Sequence, residues 1–137
     1  MKALTVSQPY ASLIASGEKW VENRRYPVSY RGPLAIHAGK GTQYLDKREL
    51  ADYPTGCVIA IARLVTCVPL LGTRCGNGIW MRQLKQHGIN INAFLGHQHT
   101  EGPWCWILSD VRRIEPAPAR GAQGLWEWEG DPDQLAQ

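Results

Sequence analysis

The sequence predicts an α+β fold in which about five to six strands curl into a small barrel with short helices packed over it. Two long apolar runs, 57–71 and 104–114, carry most of this expectation. The first holds Arg63 as its one charge, is rich in Val, Ile and Leu, and is too short to cross a membrane, so it reads as a buried strand. Shorter runs at 20–25, 33–38 and 124–128 supply further strands. Helical patterns fall between them irregularly, without the strict alternation of a parallel α/β sheet.

Each element has a local reason. Residues 7–16 predict a short helix: Pro9 suits the first turn, Tyr10, Leu13 and Ile14 fall at i, i+3 and i+4, and Gly17 supplies the left-handed residue that ends it. The following strand places Trp20, Glu22 and Arg24 on one face and Val21, Asn23 and Arg25 on the other, with Lys19 at the corner. A turn at Arg31-Gly32 leads into the strand 33–38, where Leu34, Ile36 and Ala38 alternate with Ala35 and His37. Thr42 is the N-cap expected for a helix reaching about Ala51, followed by a turn at 52–56. Residues 72–78 form a loop with three glycines, and Asn77 is expected to cap a helix over 78–86 that Gly88 stops. That helix would turn Trp80, Met81 and Leu84 toward the core or a cleft. Residues 89–102 show little periodicity and read as a loop or insertion. After the strand 104–114, Pro116 and Pro118 keep the chain extended.

At 137 residues the chain is expected to form one domain over 1–129, large enough to hold a core without disulfides or metal, with 130–137 as a frayed acidic tail. No apolar stretch near Met1 is long enough for a signal peptide or a membrane span, so a cytoplasmic protein without a membrane partner is expected. Cys57, Cys67, Cys75 and Cys105 lie far apart with no CxxC pair, which argues against a zinc knuckle and a disulfide framework; Cys57 and Cys67 read as core. The formal charge of +3 hides an asymmetry: Glu127, Glu129, Asp131 and Asp133 put −4 into the last eleven residues, leaving +7 for the body. Such a field favours phosphate-bearing partners without proving nucleic-acid binding.

The chemistry concentrates in Gly17-Glu-Lys-Trp-Val-Glu-Asn-Arg24. Lys19 offers a point charge and Arg24 a planar fork to phosphate. Glu22, between them, suits accepting a hydrogen bond from an exocyclic amino group or a ribose hydroxyl better than general-base work. The plainer alternative is an ion-pair cluster that covers one end of the sheet. Tyr10 is the aromatic expected in the cleft, whereas Trp106, Trp126 and a hydrogen-bonded His37 are expected in the core. Other motifs fail. Gly39-Lys-Gly-Thr42 lacks the Walker A glycine and has Gly41 where Ser or Thr is needed after the lysine. His99-Thr-Glu101 lacks the cysteine pair of the zinc deaminases. His97 and His99 lack a third ligand, so neither a metal nor a cofactor is expected.

Gly17, Lys19, Glu22 and Arg24 match the GxKxxExR signature, and the chain resembles the ASCH domain family of the PUA-like superfamily. Ser7-Gln-Pro-Tyr10, Tyr30-Arg-Gly-Pro-Leu-Ala-Ile-His-Ala38, Glu101-Gly-Pro-Trp-Cys-Trp106 and Gly121 through Trp126 extend the resemblance over most of 4–128. It implies a small PUA-like β-barrel with a cleft beside the signature. It also implies a module that binds RNA or a modified nucleotide, with DNA possible, through Tyr10, Lys19, Glu22 and Arg24. Some relatives are amidohydrolases on N4-acylated cytidines, with Thr where this chain has Glu22; that departure removes a nucleophile, and Thr5 or Ser7 would have to replace it. A hydrolase using Lys19 and Glu22, as amidohydrolase or ribonuclease, and a protein-interaction module remain the alternatives.

Overall fold

The computed structural model describes residues 1–70 and 79–133. The expected glycine loop, the Asn77 cap and Cys75 lie outside the described residues. In chain order the elements are β1 (Lys2–Val6), α1 (Tyr10–Ala15), β2 (Val21–Arg24), β3 (Gly32–Ala38), β4 (Cys57–Pro69), α2 (Ile79–Gln86), α3 (Ile91–Gly96), β5 (Trp104–Pro118) and β6 (Leu125–Glu127). The strands join one hydrogen-bonded sheet in the order β2-β5-β4-β3-β1-β6. The chain divides into two compact units, one of Met1–Glu18, Pro33–Arg63 and the described part of Asp110–Gln137, the other of Lys19–Gly32 and Leu64–Ser109.

In the first unit β1 runs parallel to β3, with Ala3 opposite Ala35 and Val6 opposite Ala38, and antiparallel to β6, with Leu4 opposite Leu125. Ala3, Ala35, Val58, Ile61, Ile114 and Trp128 form its core cluster. The helix α1 buries Ala11, Ile14 and Ala15, and Gly17 ends it at φ +85°, a conformation in which an L side chain is strained. Gln8 is wholly buried and satisfied: its amide nitrogen donates to Ser12 Oγ and to the Pro54 carbonyl, both at 2.8 Å, and its oxygen accepts from the Ser12 N–H at 2.9 Å. One side chain thereby starts the helix and ties it to the 52–56 turn.

His37 is a core residue, 2% exposed. Its Nε2 lies 2.7 Å from the Ala119 carbonyl, which can only accept, so in the neutral ring that nitrogen carries the proton. Nδ1 is then an acceptor for the Thr5 hydroxyl at 3.1 Å, and Thr5 Oγ1 accepts in turn from Trp126 Nε1 at 3.0 Å. Gly121 closes over this chain of bonds: a Cβ there would lie 2.6 Å from Thr5 Oγ1 and 2.7 Å from His37 Cε1.

In the second unit β2 pairs antiparallel with the start of β5, Val21 opposite Ile107 and Arg24 opposite Trp104. Val21, Val68, Trp80, Leu84, Phe94, Cys105 and Ile107 form its core cluster. Trp80 and Leu84, one helical turn apart, face inward from α2, whereas Met81 is exposed, against expectation. An eight-residue helix with polar neighbours at 82, 83, 85 and 86 has only one stripe to bury, and Met81 lies off it.

Two further expectations are overturned. Residues 42–51 form turns rather than a helix: their backbone bonds are isolated i to i−3 contacts, such as Leu45 N to Thr42 O and Glu49 N to Asp46 O. None of these residues is buried, and a short helix with no packed face does not repay its nucleation cost. Conversely, 89–102 contains α3, whose Asn90 cap accepts from the Ala93 N–H at 2.9 Å and whose Phe94 is fully buried near Trp20 and Trp80. One aromatic anchor substitutes for the missing periodicity. The strand β1, which sequence pattern left unassigned, completes the six.

Candidate functional site

Lys19, Glu22 and Arg24 all belong to the second unit, at the corner before β2 and along one face of it. Glu22 Oε1 lies 3.1 Å from Lys19 Nζ, and Oε2 accepts from Arg24 Nε at 2.9 Å and Nη2 at 2.6 Å. Lys19 Nζ also donates to the Val21 carbonyl. The side chains are 4%, 10% and 28% exposed for Lys19, Glu22 and Arg24 respectively. Sequence reasoning has these groups converge on a ligand; the structure has them converge first on one another, with Arg24 the most accessible.

The pairing is physically coherent. Burial of a charge is costly unless partners satisfy it, and here each oxygen of Glu22 meets a cation. Two cations nonetheless share one carboxylate, so the cluster itself carries a formal +1. Arg24 Cζ also lies 6.0 Å from the centroid of the buried Trp106 ring, within cation–π range. Trp106 donates its Nε1 proton to the Tyr26 carbonyl at 3.1 Å.

The other face of β2 holds a residue that sequence reasoning missed. Asn23 Nδ2 donates to the His99 carbonyl at 2.7 Å, while Oδ1 accepts from Glu101 N at 3.1 Å and Gly102 N at 2.8 Å. One amide thus moors the 99–102 segment beside β2. No local pattern reveals this, because its partners lie more than seventy residues away. Two half-buried histidines stand here, His99 in the moored segment and His97 just before it. The His97 ring lies 4.7 Å from Trp20 and 5.5 Å from His99, and its Nε2 accepts from the Trp20 N–H at 3.4 Å. Burial, then the neighbouring His99 and Lys19, hold His97 below the ordinary histidine range. Burial and Lys19 do the same for His99, against the opposing pull of Glu101 and Glu22. Both rings therefore take up a proton less readily than an ordinary histidine.

The remaining expectations separate by unit. Tyr10 lies in the first unit, half-buried, its ring edge-on to Tyr44 at 5.4 Å. Trp126 and His37 lie there too, engaged as described. Thr5 and Ser7, the hydroxyls considered as replacement nucleophiles, belong to the same unit, and the Thr5 hydroxyl is held between Trp126 and His37. Burial raises the thiols of Cys57 and Cys67, as suits inert core cysteines. No helix among the described residues is long and apolar enough to cross a membrane.

Comparison with known proteins adds the family dimension. The sequence model of the ASCH domain matches residues 4–118. The chain is 26% identical over 141 aligned positions to human activating signal cointegrator 1, covering 90% of this chain and 22% of that protein. It thus spans about a fifth of that relative's length. Among solved structures, the crystal structure of ASCH from Zymomonas mobilis superposes with a TM-score of 0.56 at 19% identity, covering 97% of this chain and 90% of the other. A serine-to-alanine point mutant of the Zymomonas mobilis protein superposes at 0.54 with 21% identity, covering 97% and 91%. These likenesses establish the fold as the small α+β, PUA-like barrel class expected from the sequence.

Proposed function

Because this chain belongs to the ASCH domain family, a PUA-like family associated with RNA binding, we propose that it binds RNA or a modified nucleotide at the Lys19–Glu22–Arg24 cluster. One observation carries the reading: two cations gather on a single carboxylate in a largely buried cluster whose Arg24 edge is accessible, a concentration of positive potential that draws negative charge. A phosphate oxygen at the accessible edge of Arg24 supplies that charge and accepts its N–H groups. Lys19 adds to the local potential from below. Glu22 positions both cations. The Trp106 ring lies within cation–π range of the Arg24 guanidinium, and His97 and His99 are both held below the ordinary histidine range.

Titration of the protein with a short single-stranded RNA, followed by fluorescence anisotropy, tests the reading. Arg24→Ala is expected to weaken binding roughly tenfold to a hundredfold, the size of a lost charge-assisted contact. Arg24→Lys, which keeps the charge and loses the fork, should fall between. Wild-type affinity in Arg24→Ala, with the melting temperature unchanged, would remove this cluster as the binding site.

A further inference from the structure

Residues 24–31 read Arg-Arg-Tyr-Pro-Val-Ser-Tyr-Arg, three cations and two aromatic rings with no acid among them. The segment leaves β2 at Arg24, and side-chain donors brace its backbone at both ends. Trp106 Nε1 holds the Tyr26 carbonyl at 3.1 Å. Arg31 Nη1 donates to the carbonyls of Val28 at 2.6 Å and Tyr30 at 2.9 Å. At the first of these braces the Tyr26 residue stands 69% exposed, and Arg25 just before it is exposed as well. Tyr26 is the most exposed of the large hydrophobic residues among those described.

A braced backbone beneath an exposed ring has already met much of the ordering cost that binding would otherwise impose. Aromatic faces alternating with cations are the chemistry by which proteins hold single strands, since every base offers a π-face and every linkage a negative charge. The acid-free composition of the segment favours such a polyanion over a protein surface of mixed charge. We infer that Tyr26 and Arg25 form a platform for a second nucleotide, so that the occupant of the Arg24 site is a single-stranded nucleic acid and not a free nucleotide. A base stacks on the Tyr26 ring while Arg25 neutralises an adjoining phosphate. This rests on the reading of Arg24 as a phosphate contact.

The test compares a nucleoside monophosphate with single-stranded oligomers of about eight nucleotides, one ribo and one deoxy, by calorimetry or anisotropy. The wild-type chain is expected to bind at least one oligomer roughly tenfold or more tightly than the monophosphate, and the ribo and deoxy arms identify which source of the strand it prefers. Tyr26→Ala should remove most of that gain while leaving monophosphate affinity unchanged, and Tyr26→Phe should retain it. Arg25→Ala should lower the salt slope of oligomer binding by about 0.7. Equal affinity for monophosphate and oligomer, or oligomer affinity unmoved by Tyr26→Ala, overturns the platform while leaving the Arg24 site intact. Affinity for every ligand unmoved by Arg24→Ala overturns the site reading instead. Both platform side chains are exposed, so the variants retain the fold, which thermal melts check.

Discussion

His97 and His99 show how a side chain's surroundings set its behaviour more than its identity does. Burial is the largest influence on each, and the groups facing them are Lys19, Glu22, Glu101 and one another. Because both are held below the ordinary 6.5, the folded protein takes up a proton less readily than the unfolded chain. Their contribution to stability is complete above that value. It is lost as the pH falls below 6.5 toward the folded-state values, since protons then favour the unfolded chain. The melting temperature should accordingly drop between about pH 7.5 and about pH 5, the range of the histidine titration. His97→Phe, which keeps a ring against Trp20, should flatten that drop; an unchanged slope in the variant would assign the pH dependence elsewhere. At the same scale, Glu22 was legible as a partner of Lys19 and Arg24, because period-two spacing puts 22 and 24 on one face. Asn23 was not legible, since its value lies in backbone groups that only the folded chain brings to it.

At the level of elements, α1 and α3 make an instructive pair of six-residue helices. The first carries its own signals, an i, i+3, i+4 stripe and a glycine that stops it. The second has one anchor, Phe94, set among Trp20 and Trp80, and a single cap at Asn90. Phe94→Ala should destabilise the protein by about 3 to 5 kcal/mol, read from chemical denaturation, because it empties the centre of a fully packed cluster. Asn90→Ala should cost only about 1 kcal/mol. If the two costs were equal, burial would not be what makes α3. Residues 42–51 show the converse. Thr42 and the following polar residues satisfy the local rules for starting a helix, yet no tertiary surface receives one face of it. In this stretch it is Asp46 that accepts the backbone N–H groups of Arg48 and Glu49, and neither the cap at Thr42 nor the helix it was expected to start is present.

For the whole molecule, charge distribution matters more than total charge. The acidic residues after Gly124 begin with Glu127, which Lys2 and the N-terminal amine hold ionised below the ordinary carboxylate range. Arg112 pairs with Asp133 at 3.1 Å. Part of the tail's negative charge is therefore answered locally, by Lys2, the N-terminal amine and Arg112. RNA affinity should fall linearly with the logarithm of salt concentration, with a slope of about −0.7 for each phosphate engaged on a single strand. A flat salt dependence would mean that charge plays no part in whatever this chain binds.

Periodicity, turn residues and a short signature determined the main strands, the first helix with its glycine stop and the family, because each of these is encoded by neighbours in the chain. Tertiary structure alone decided that Lys19, Glu22 and Arg24 clasp one another with the two cations unequally exposed, that Asn23 moors a distant segment, and that α3 exists while a helix at 42–51 does not. Those outcomes depend on which surfaces water is driven from and which polar groups then lack a partner, and both are properties of the folded whole.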